Sequence, residues 1–236
     1  MIDRGLYITP NEMSTQQLDE WNALMQDDWL RQKLDRARRF REHIEYLNKF
    51  FPEFTECEPG FVVDLGCGAG ELLEIARYYG HDIHGIEATS GKGGMGDNYL
   101  EACRIRWRQQ DIKVSSIGAP YVFRNPPDWL PPRHSCVLIN SRGSLEQMFC
   151  QHMDGEPHDE HHRADRMTWR ISGYLRNDII RMFLCVYDLI REDGRFVIHA
   201  NGATNADEMD ILLDNVACWV GFTRVHYAPR ERVWVL

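Results

Sequence analysis

From Phe61 onward, short apolar segments alternate with longer amphipathic ones, and this alternation restricts the fold more than any other feature of the sequence. Strands are predicted at FVVDL (61–65), DIHGIE (82–87), CVLIN (136–140) and RFVIHA (195–200), with a weakly marked one within 112–117. Helices are predicted over 71–79, 97–109, 175–190 and 207–220, with another beginning at Ser144. Asp193–Gly194 is predicted to be the C-terminal break of the helix over 175–190. Such alternation is typical of a doubly wound, mostly parallel α/β sheet with helices on both faces.

The two ends of the chain depart from this alternation. The final stretch, GFTRVHYAPRERVWVL, alternates in polarity on both sides of a turn and predicts two antiparallel strands, which brings the sheet to seven. Residues 14–51 have helical periodicity and begin with a capping box formed by Ser14 and Gln17. We therefore expect an N-terminal helical cap over 1–56 and an α/β domain over 57–236.

The turn after the first strand has glycine at 66, 68 and 70. A dinucleotide-binding turn, G-x-G-x-x-G, would have its third glycine at position 71, which is Glu71 here. A carboxylate in the first turn of the helix is also poorly placed beside a pyrophosphate. The spacing therefore argues against a dinucleotide and against a dehydrogenase.

Ligands of parallel sheets bind outside the carboxyl ends of the strands. We therefore expect functional residues directly after Leu65, Glu87, Asn140 and Ala200.

Asp64 to Gly70, read as D-x-G-x-G-x-G, together with Glu87 at the end of the second strand, resembles the class I S-adenosylmethionine-dependent methyltransferases. The resemblance extends from Phe61 to the end of the chain and implies a Rossmann-like domain with S-adenosylmethionine (SAM) as cofactor and S-adenosylhomocysteine as product. It implies that Glu87 holds both ribose hydroxyls and that Asp64 lies near the methionine amino group. Asp111 is the adenine contact if the preceding segment is strand, and part of a helix exit if it is not.

The cofactor-binding residues implied by this resemblance are Asp64, Leu65, Gly66, Cys67, Gly68, Gly70, Glu87, Ala88, Asp111 and Asn140.

The segment after the fourth strand, NSRGSLEQ (140–147), is similar to the GSLEH segment of some small-molecule and lipid methyltransferases, with Gln147 in place of histidine. Glu146 is a candidate base or substrate anchor, or a helix-start carboxylate favoured by the dipole. The long connection at about 150–173 predicts a lid, from which His162 is a candidate catalytic residue, as is His199 after the fifth strand. A hydrophilic loop explains its other histidines, and we predict no metal site.

NPPDW (125–129) is similar to the [D/N]-P-P-aromatic signature of nucleic-acid amino-methyltransferases, but Asp128 replaces the aromatic ring. The segment also precedes the fourth strand instead of ending it. We predict a rigid loop there.

Charge and cysteine content restrict the partners. The net charge of −9 argues against a general attraction to nucleic acid, and no apolar run approaches the ~18 residues that span a membrane. The basic segment RQKLDRARRFR (31–41) is either a solvated helix face or a grip on an acidic substrate. The 7 scattered cysteines contain no CxxC pair and indicate a reducing, cytoplasmic environment.

These features predict a methyltransferase acting on an oxygen or nitrogen nucleophile of a small molecule, as a monomer or homodimer. A methyltransferase for a protein or nucleic acid is the second hypothesis, and a non-catalytic SAM-binding module is the third.

Overall fold

A computed structural model describes residues 14–26, 31, 36–87, 95–107, 113–115, 128, 130–143, 173–199, 206–228 and 231–236. Its helices are α1 (Thr15–Leu24), α2 (Arg36–Phe50), α3 (Glu71–Tyr78), α4 (Met95–Trp107), α5 (Gly173–Leu189) and α6 (Ala206–Val220). Its strands are β1 (Phe61–Leu65), β2 (Asp82–Ile86), β3 (Lys113–Ser115), β4 (Cys136–Arg142), β5 (Ile190–His199), β6 (Thr223–Ala228) and β7 (Glu231–Val235). None of these helices combines the length and the apolar character needed to cross a membrane.

The strands form one sheet in the order β3-β2-β1-β4-β5-β7-β6. Strands β1 to β5 are parallel, and β7 runs antiparallel to both β5 and β6. The prediction of a mostly parallel α/β sheet with antiparallel C-terminal strands is confirmed. Strand order reverses between β1 and β4, so the crevice that binds ligands in such sheets opens at the carboxyl ends of these two strands.

The sheet is buried on both faces, as its continuous apolar strands require. One face packs Val63, Leu65 and Ile139 against α5 and α6, with Phe183, Phe196 and Trp234 in mutual ring contact. On the other face Val62, Leu138 and Val197 pack against α3 and α2, which contributes Phe40, Ile44, Leu47 and Phe50. Helix α2 is therefore part of the core that covers the sheet, although it precedes β1 in the chain.

The boundary between α5 and β5 was predicted wrongly. The sequence suggested a helix to 190 that stops at Asp193–Gly194, but α5 ends at Leu189 and β5 begins at Ile190. The pairing with β4 moves from Ile190 directly to Arg195, so an irregularity lies within the strand. A Cβ at Gly194 would come within 2.7 Å of the Cys136 carbonyl oxygen, so the glycine permits a close approach in the sheet and is not a helix cap.

Gly85 of β2 is tightly packed beneath the glycine turn, and a substitution there tests this packing. A Cβ there would lie 2.7 Å from Cδ1 of Leu73 and 2.8 Å from Sγ of Cys67. Because overpacking a filled core forces side chains and backbone to shift, Gly85→Ala is expected to lower the free energy of unfolding by about 1–3 kcal/mol in urea denaturation. Asp82→Ala, on the exposed start of the same strand, should change it by roughly 0.5 kcal/mol at most. Equal stability of the two variants would contradict this packing.

Candidate functional site

The turn between β1 and α3 has a backbone that glycine alone adopts easily. Gly66, Gly68 and Gly70 have φ angles of 80°, 56° and 84°, in the left-handed region. The N–H groups of Gly66 and Cys67 both donate to the carbonyl oxygen of Ile86, at 2.6 and 3.1 Å. The turn is therefore fastened to the end of β2, and these two N–H groups are already engaged.

Glu87, directly after β2, completes this fastening. Its Oε2 accepts a hydrogen bond of 2.7 Å from the N–H of Gly68, and the residue is buried. The carboxylate at the end of the second strand is therefore held against the glycine turn, as the sequence spacing required. Gly70 also donates its N–H, to the Cys67 carbonyl oxygen. Four N–H groups of the turn are therefore hydrogen-bonded within the protein and are not available to bind a phosphate group.

The turn is surrounded by buried carboxyl groups. Asp64 ends β1, Glu71 begins α3 and Glu87 follows β2, and all three are buried. Glu71 is paired with Arg39 of α2, with Nε and Oε1 3.2 Å apart. These carboxyl groups would repel a phosphate group, whereas they can accept hydrogen bonds from the hydroxyl groups and the positively charged groups of a ligand.

A hydrogen-bonded chain joins α2 to the carboxyl ends of the two central strands. The Tyr46 hydroxyl donates to Oδ1 of Asn140 at 2.6 Å, and Nδ2 of Asn140 donates to Oδ1 of Asp64, also at 2.6 Å. All three residues are buried. Asp64 is thereby held in one orientation by a side chain from the neighbouring strand.

Asp64 has a strongly shifted pKa. Burial raises it from 3.8 to about 7, against the lowering effect of the Asn140 hydrogen bond, and the nearby Glu71 raises it further. Burial, together with the charge of Asp64, also raises the pKa of the Tyr46 phenol. Asp64 can therefore change its charge near neutral pH, which is typical of functional sites.

Helix α2 lays one face across these strand ends. Arg39, His43 and Tyr46 are spaced i, i+4, i+7 and so share a face. Arg39 contacts Glu71 and lies near the glycine turn, while His43 and Tyr46 contact Arg142 at the end of β4. Nη1 of Arg142 lies 3.2 Å from Nδ1 of His43, and its guanidinium carbon lies 5.3 Å from the centroid of the Tyr46 ring.

His199, at the end of β5, is on the same side of the sheet. Its ring meets the Tyr46 ring edge-on, with centroids 6.1 Å apart, and its Nε2 lies 3.9 Å from Oε1 of Glu231. Glu231 is also bound by Lys49 of α2, whose Nζ is 2.7 Å from both carboxylate oxygens. The structure therefore places this predicted residue beside the Tyr46–Asn140–Asp64 chain.

The structure thus brings most of the expected cofactor-binding positions together: Asp64, Gly66, Cys67, Gly68, Gly70, Glu87 and Asn140. The side chains of Leu65 and Cys67 belong to the hydrophobic core, so only their backbone can face a ligand. Four expected residues lie outside the described residues: Ala88, Asp111, Glu146 and His162. The lid at about 150–173 and nearly all of the NPPDW segment also lie outside them.

Sequence reasoning missed Tyr46, His43 and Arg142. The spacing of His43 and Tyr46 on α2 indicated a shared helical face, but the sequence did not show what this face contacts, because Tyr46 and Asn140 are 94 positions apart. Arg39 lay within the basic 31–41 segment, and it faces the carboxylate of Glu71.

The chain matches no protein-family model and has no significant match among curated proteins. Its structure is similar to that of magnesium protoporphyrin IX methyltransferase from Synechocystis, at 12% identity and a TM-score of 0.49, over 99% of this chain and 96% of that one. It is also similar to a TehB-like SAM-dependent methyltransferase from Corynebacterium glutamicum (15% identity, TM-score 0.45, 85% and 95% of the two chains). A SAM-dependent methyltransferase from Archaeoglobus fulgidus gives 15% identity and a TM-score of 0.43, over 76% and 67%. Scores this low carry neither an activity nor a residue's role over to this chain.

Proposed function

We propose that the chain is a SAM-dependent methyltransferase that transfers a methyl group to an oxygen or nitrogen nucleophile of a small molecule. One observation carries the proposal. The Glu87 carboxylate at the end of β2 is hydrogen-bonded to the N–H of Gly68 in a left-handed glycine turn, with the buried Asp64 at the adjoining strand end. This arrangement offers carboxylate oxygens to hydroxyl groups and to positive charge.

The chemistry of SAM fits this donor and acceptor set. SAM carries a ribose diol, an ammonium group and a sulfonium whose methyl carbon is electrophilic. In our proposal Glu87 accepts hydrogen bonds from the ribose hydroxyls, and Asp64, held by Asn140, accepts one from the ammonium group. The turn N–H groups that are already engaged speak against the pyrophosphate of a dinucleotide.

In this proposal the chain's own residues orient the reactants and exclude water, since an in-line displacement depends mainly on alignment. An alcohol acceptor needs a base as well, and His199 is the candidate among the described residues. Glu146 and His162 stay candidates for the same role. An amine acceptor needs only its neutral form.

The N-terminal segment 1–56 is assigned, in the same proposal, as a cap on the domain formed by 57–236. The face of α2 with Arg39, His43 and Tyr46 meets the carboxyl ends of β1 and β4, where an acceptor would be enclosed. The segment at about 150–173 would close the site as a lid.

The second candidate, a methyltransferase for a protein or nucleic acid, predicts an open basic cleft lined by the arginines of 31–41. The ion pair of Arg39 with the buried Glu71 favours the small-molecule hypothesis instead, because it neutralises one of these arginines within the site. A non-catalytic module would explain the cofactor residues but would produce no S-adenosylhomocysteine.

Turnover separates these candidates. The protein is incubated with SAM and pools of hydroxylated and amine metabolites, and S-adenosylhomocysteine is quantified by mass spectrometry. We expect formation of S-adenosylhomocysteine that depends on one metabolite pool and is lost in Asp64→Ala. Turnover only with protein or nucleic-acid acceptors would contradict the small-molecule assignment, and SAM binding without turnover on any acceptor would favour the binding module.

A further inference from the structure

The hydrogen-bonded chain of Tyr46, Asn140 and Asp64 has a direction. Asp64 and Asn140 are opposite each other in the register of β1 and β4, on the same side as Val62 and Leu138, which pack toward α2. The Tyr46 hydroxyl donates to Oδ1 of Asn140, and Nδ2 of Asn140 donates to Oδ1 of Asp64, each at 2.6 Å. Both donors of the chain therefore face toward Asp64.

This direction suits the ionised form of Asp64. An ionised carboxylate only accepts, so the amide turns Nδ2 toward it and leaves Oδ1 to accept from Tyr46. A protonated Asp64 accepts more weakly from Nδ2, and it can donate to Oδ1 only where the amide turns over and offers Nδ2 to Tyr46. The phenol proton would then need another acceptor, and among the described residues the Tyr46 hydroxyl donates to Asn140 alone.

The surroundings of Tyr46 keep its hydroxyl in the donor role. Its buried ring lies edge-on to the rings of Phe50 and His199, and the Arg142 guanidinium beside it can only donate. Burial, followed by the charge of Asp64, raises the pKa of the Tyr46 phenol well above 10. Tyr46 therefore keeps its proton at neutral pH and donates it to Asn140.

Other groups also influence the charge of Asp64. Burial raises the pKa of Asp64, the hydrogen bond from Asn140 lowers it, and the charges of Glu71, Arg142 and Arg39 have smaller effects. The charged and titratable side chains that face the chain are Arg39, Cys67, Glu71, Arg142, His199 and Glu231. The Asn140 hydrogen bond is thus the largest effect that opposes burial, and it is the bond that Tyr46 acts on.

The second carboxyl oxygen of Asp64 is the one that a ligand can reach. Oδ2 takes no hydrogen bond from the residues that the structure describes, and it is not one of their fully buried oxygens. In the proposed function this carboxyl group accepts from the ammonium group of SAM, which requires the ionised form. A residue that favours the ionised form of Asp64 therefore favours binding of the cofactor.

We propose that Tyr46 is a positioning residue for the cofactor: by donating to Oδ1 of Asn140 it holds Nδ2 against Asp64 and favours the ionised carboxylate, whose Oδ2 accepts the ammonium group of SAM. This inference rests on the proposed methyltransferase function and adds that helix α2 takes part in cofactor binding. Tyr46 acts through Asn140, so its effect disappears where Asn140 is replaced by a side chain without the amide.

The test compares the unmodified full chain with Tyr46→Phe, which keeps the ring and loses the hydroxyl. The pKa of Asp64 is measured from the carboxyl signal of protein labelled with ¹³C-aspartate, assigned with Asp64→Asn. We expect this pKa to rise by about 0.4 to 1 in Tyr46→Phe, which corresponds to the net contribution of one hydrogen bond. Tyr187→Phe, on the opposite face of the sheet, is the matched control and should leave the pKa of Asp64 unchanged.

The pH dependence of SAM affinity separates this role from a merely structural one. The dissociation constant, measured by calorimetry, is expected to rise about threefold to eightfold in Tyr46→Phe at pH 6.5. At pH 8.5 it should rise by less than about 1.5-fold, because Asp64 is ionised in both proteins. In an Asn140→Ala background, Tyr46→Phe should change neither the pKa of Asp64 nor the affinity for SAM.

Three results would overturn the role of Tyr46 and leave the methyltransferase proposal in place. They are an unchanged pKa of Asp64 in Tyr46→Phe, an equal loss of SAM affinity at pH 6.5 and 8.5, and an undiminished effect of Tyr46→Phe in the Asn140→Ala background. An unmodified protein that binds neither SAM nor S-adenosylhomocysteine would overturn the methyltransferase proposal. The ¹³C titration of the unliganded protein would still decide whether Tyr46 favours the ionised form of Asp64.

Discussion

Glu87→Ala is expected to weaken SAM binding by about two to four orders of magnitude, because the substitution removes charge-assisted hydrogen bonds to two ribose hydroxyls. Each such bond contributes roughly 1.5–3 kcal/mol. The variant also leaves the N–H of Gly68 without the acceptor that it has at 2.7 Å, so the glycine turn loses part of its fastening to β2. The dissociation constant for SAM, measured by isothermal titration calorimetry, reports the combined effect.

Two controls separate the role of Glu87 in binding from its role in the turn. Glu87→Gln keeps one acceptor oxygen for Gly68 but loses the charge, so we expect a smaller loss of affinity with a stability close to that of the unmodified protein. Asp82→Ala removes an exposed carboxylate from the start of the same strand and should bind SAM normally. Unchanged SAM affinity in Glu87→Ala would remove the ribose role and the observation on which the proposed function depends.

SAM binding is expected to strengthen as pH rises toward 7 and then to level off, because Asp64 must lose a proton to accept the ammonium group. The pKa of Asp64 is about 7 in the unliganded protein, and an adjacent positive charge lowers it in the complex. Binding therefore releases a proton below pH 7, and affinity can change by up to about tenfold per pH unit there. Calorimetry in buffers of different ionisation enthalpy measures the number of protons released.

The raised pKa of Asp64 affects the stability of the unliganded protein in the opposite direction to its effect on SAM affinity. The folded-state pKa of Asp64 is raised above its ordinary 3.8, so between about pH 4 and 7 the folded state binds more protons than the unfolded state. The contribution of Asp64 to stability therefore falls as pH rises through this range. In Asp64→Asn we expect the pH dependence of SAM binding and that of stability both to be lost. We also expect SAM to bind roughly a hundredfold more weakly at pH 8, because the charge pair with the ammonium group is absent. Proton release that persists in Asp64→Asn would assign it to another group.

The proximity of the glycine turn and Glu87 was predictable because the signals for it in the sequence are local. The glycines at 66, 68 and 70 follow β1 directly, and Glu87 follows the next strand, so the strand-end rule was enough to bring them together. Helix α2 was predictable as a helix, but its contacts were not. Whether Tyr46 meets Asn140 depends on how the chain packs before β1, and periodicity carries no information about that.

The start of β5 could not be predicted from the sequence for a different reason. Polar residues and Gly194 after Ile190 have the composition of a helix end, yet they lie within the strand, where Gly194 permits close contact with the Cys136 carbonyl. Composition identified a position that needs glycine, but two physical reasons can demand it, a left-handed cap or a close approach. Only the sheet register distinguishes them.

Titrating the protein with SAM and with S-adenosylhomocysteine in a calorimeter, with NAD as competitor, shows most directly whether the glycine turn and Glu87 bind this cofactor. We expect both to bind with roughly micromolar affinity, more weakly in Glu87→Ala and without interference from NAD. Preference for NAD, or no binding of either SAM or S-adenosylhomocysteine, would mean that the glycine turn and Glu87 do not form the proposed cofactor site.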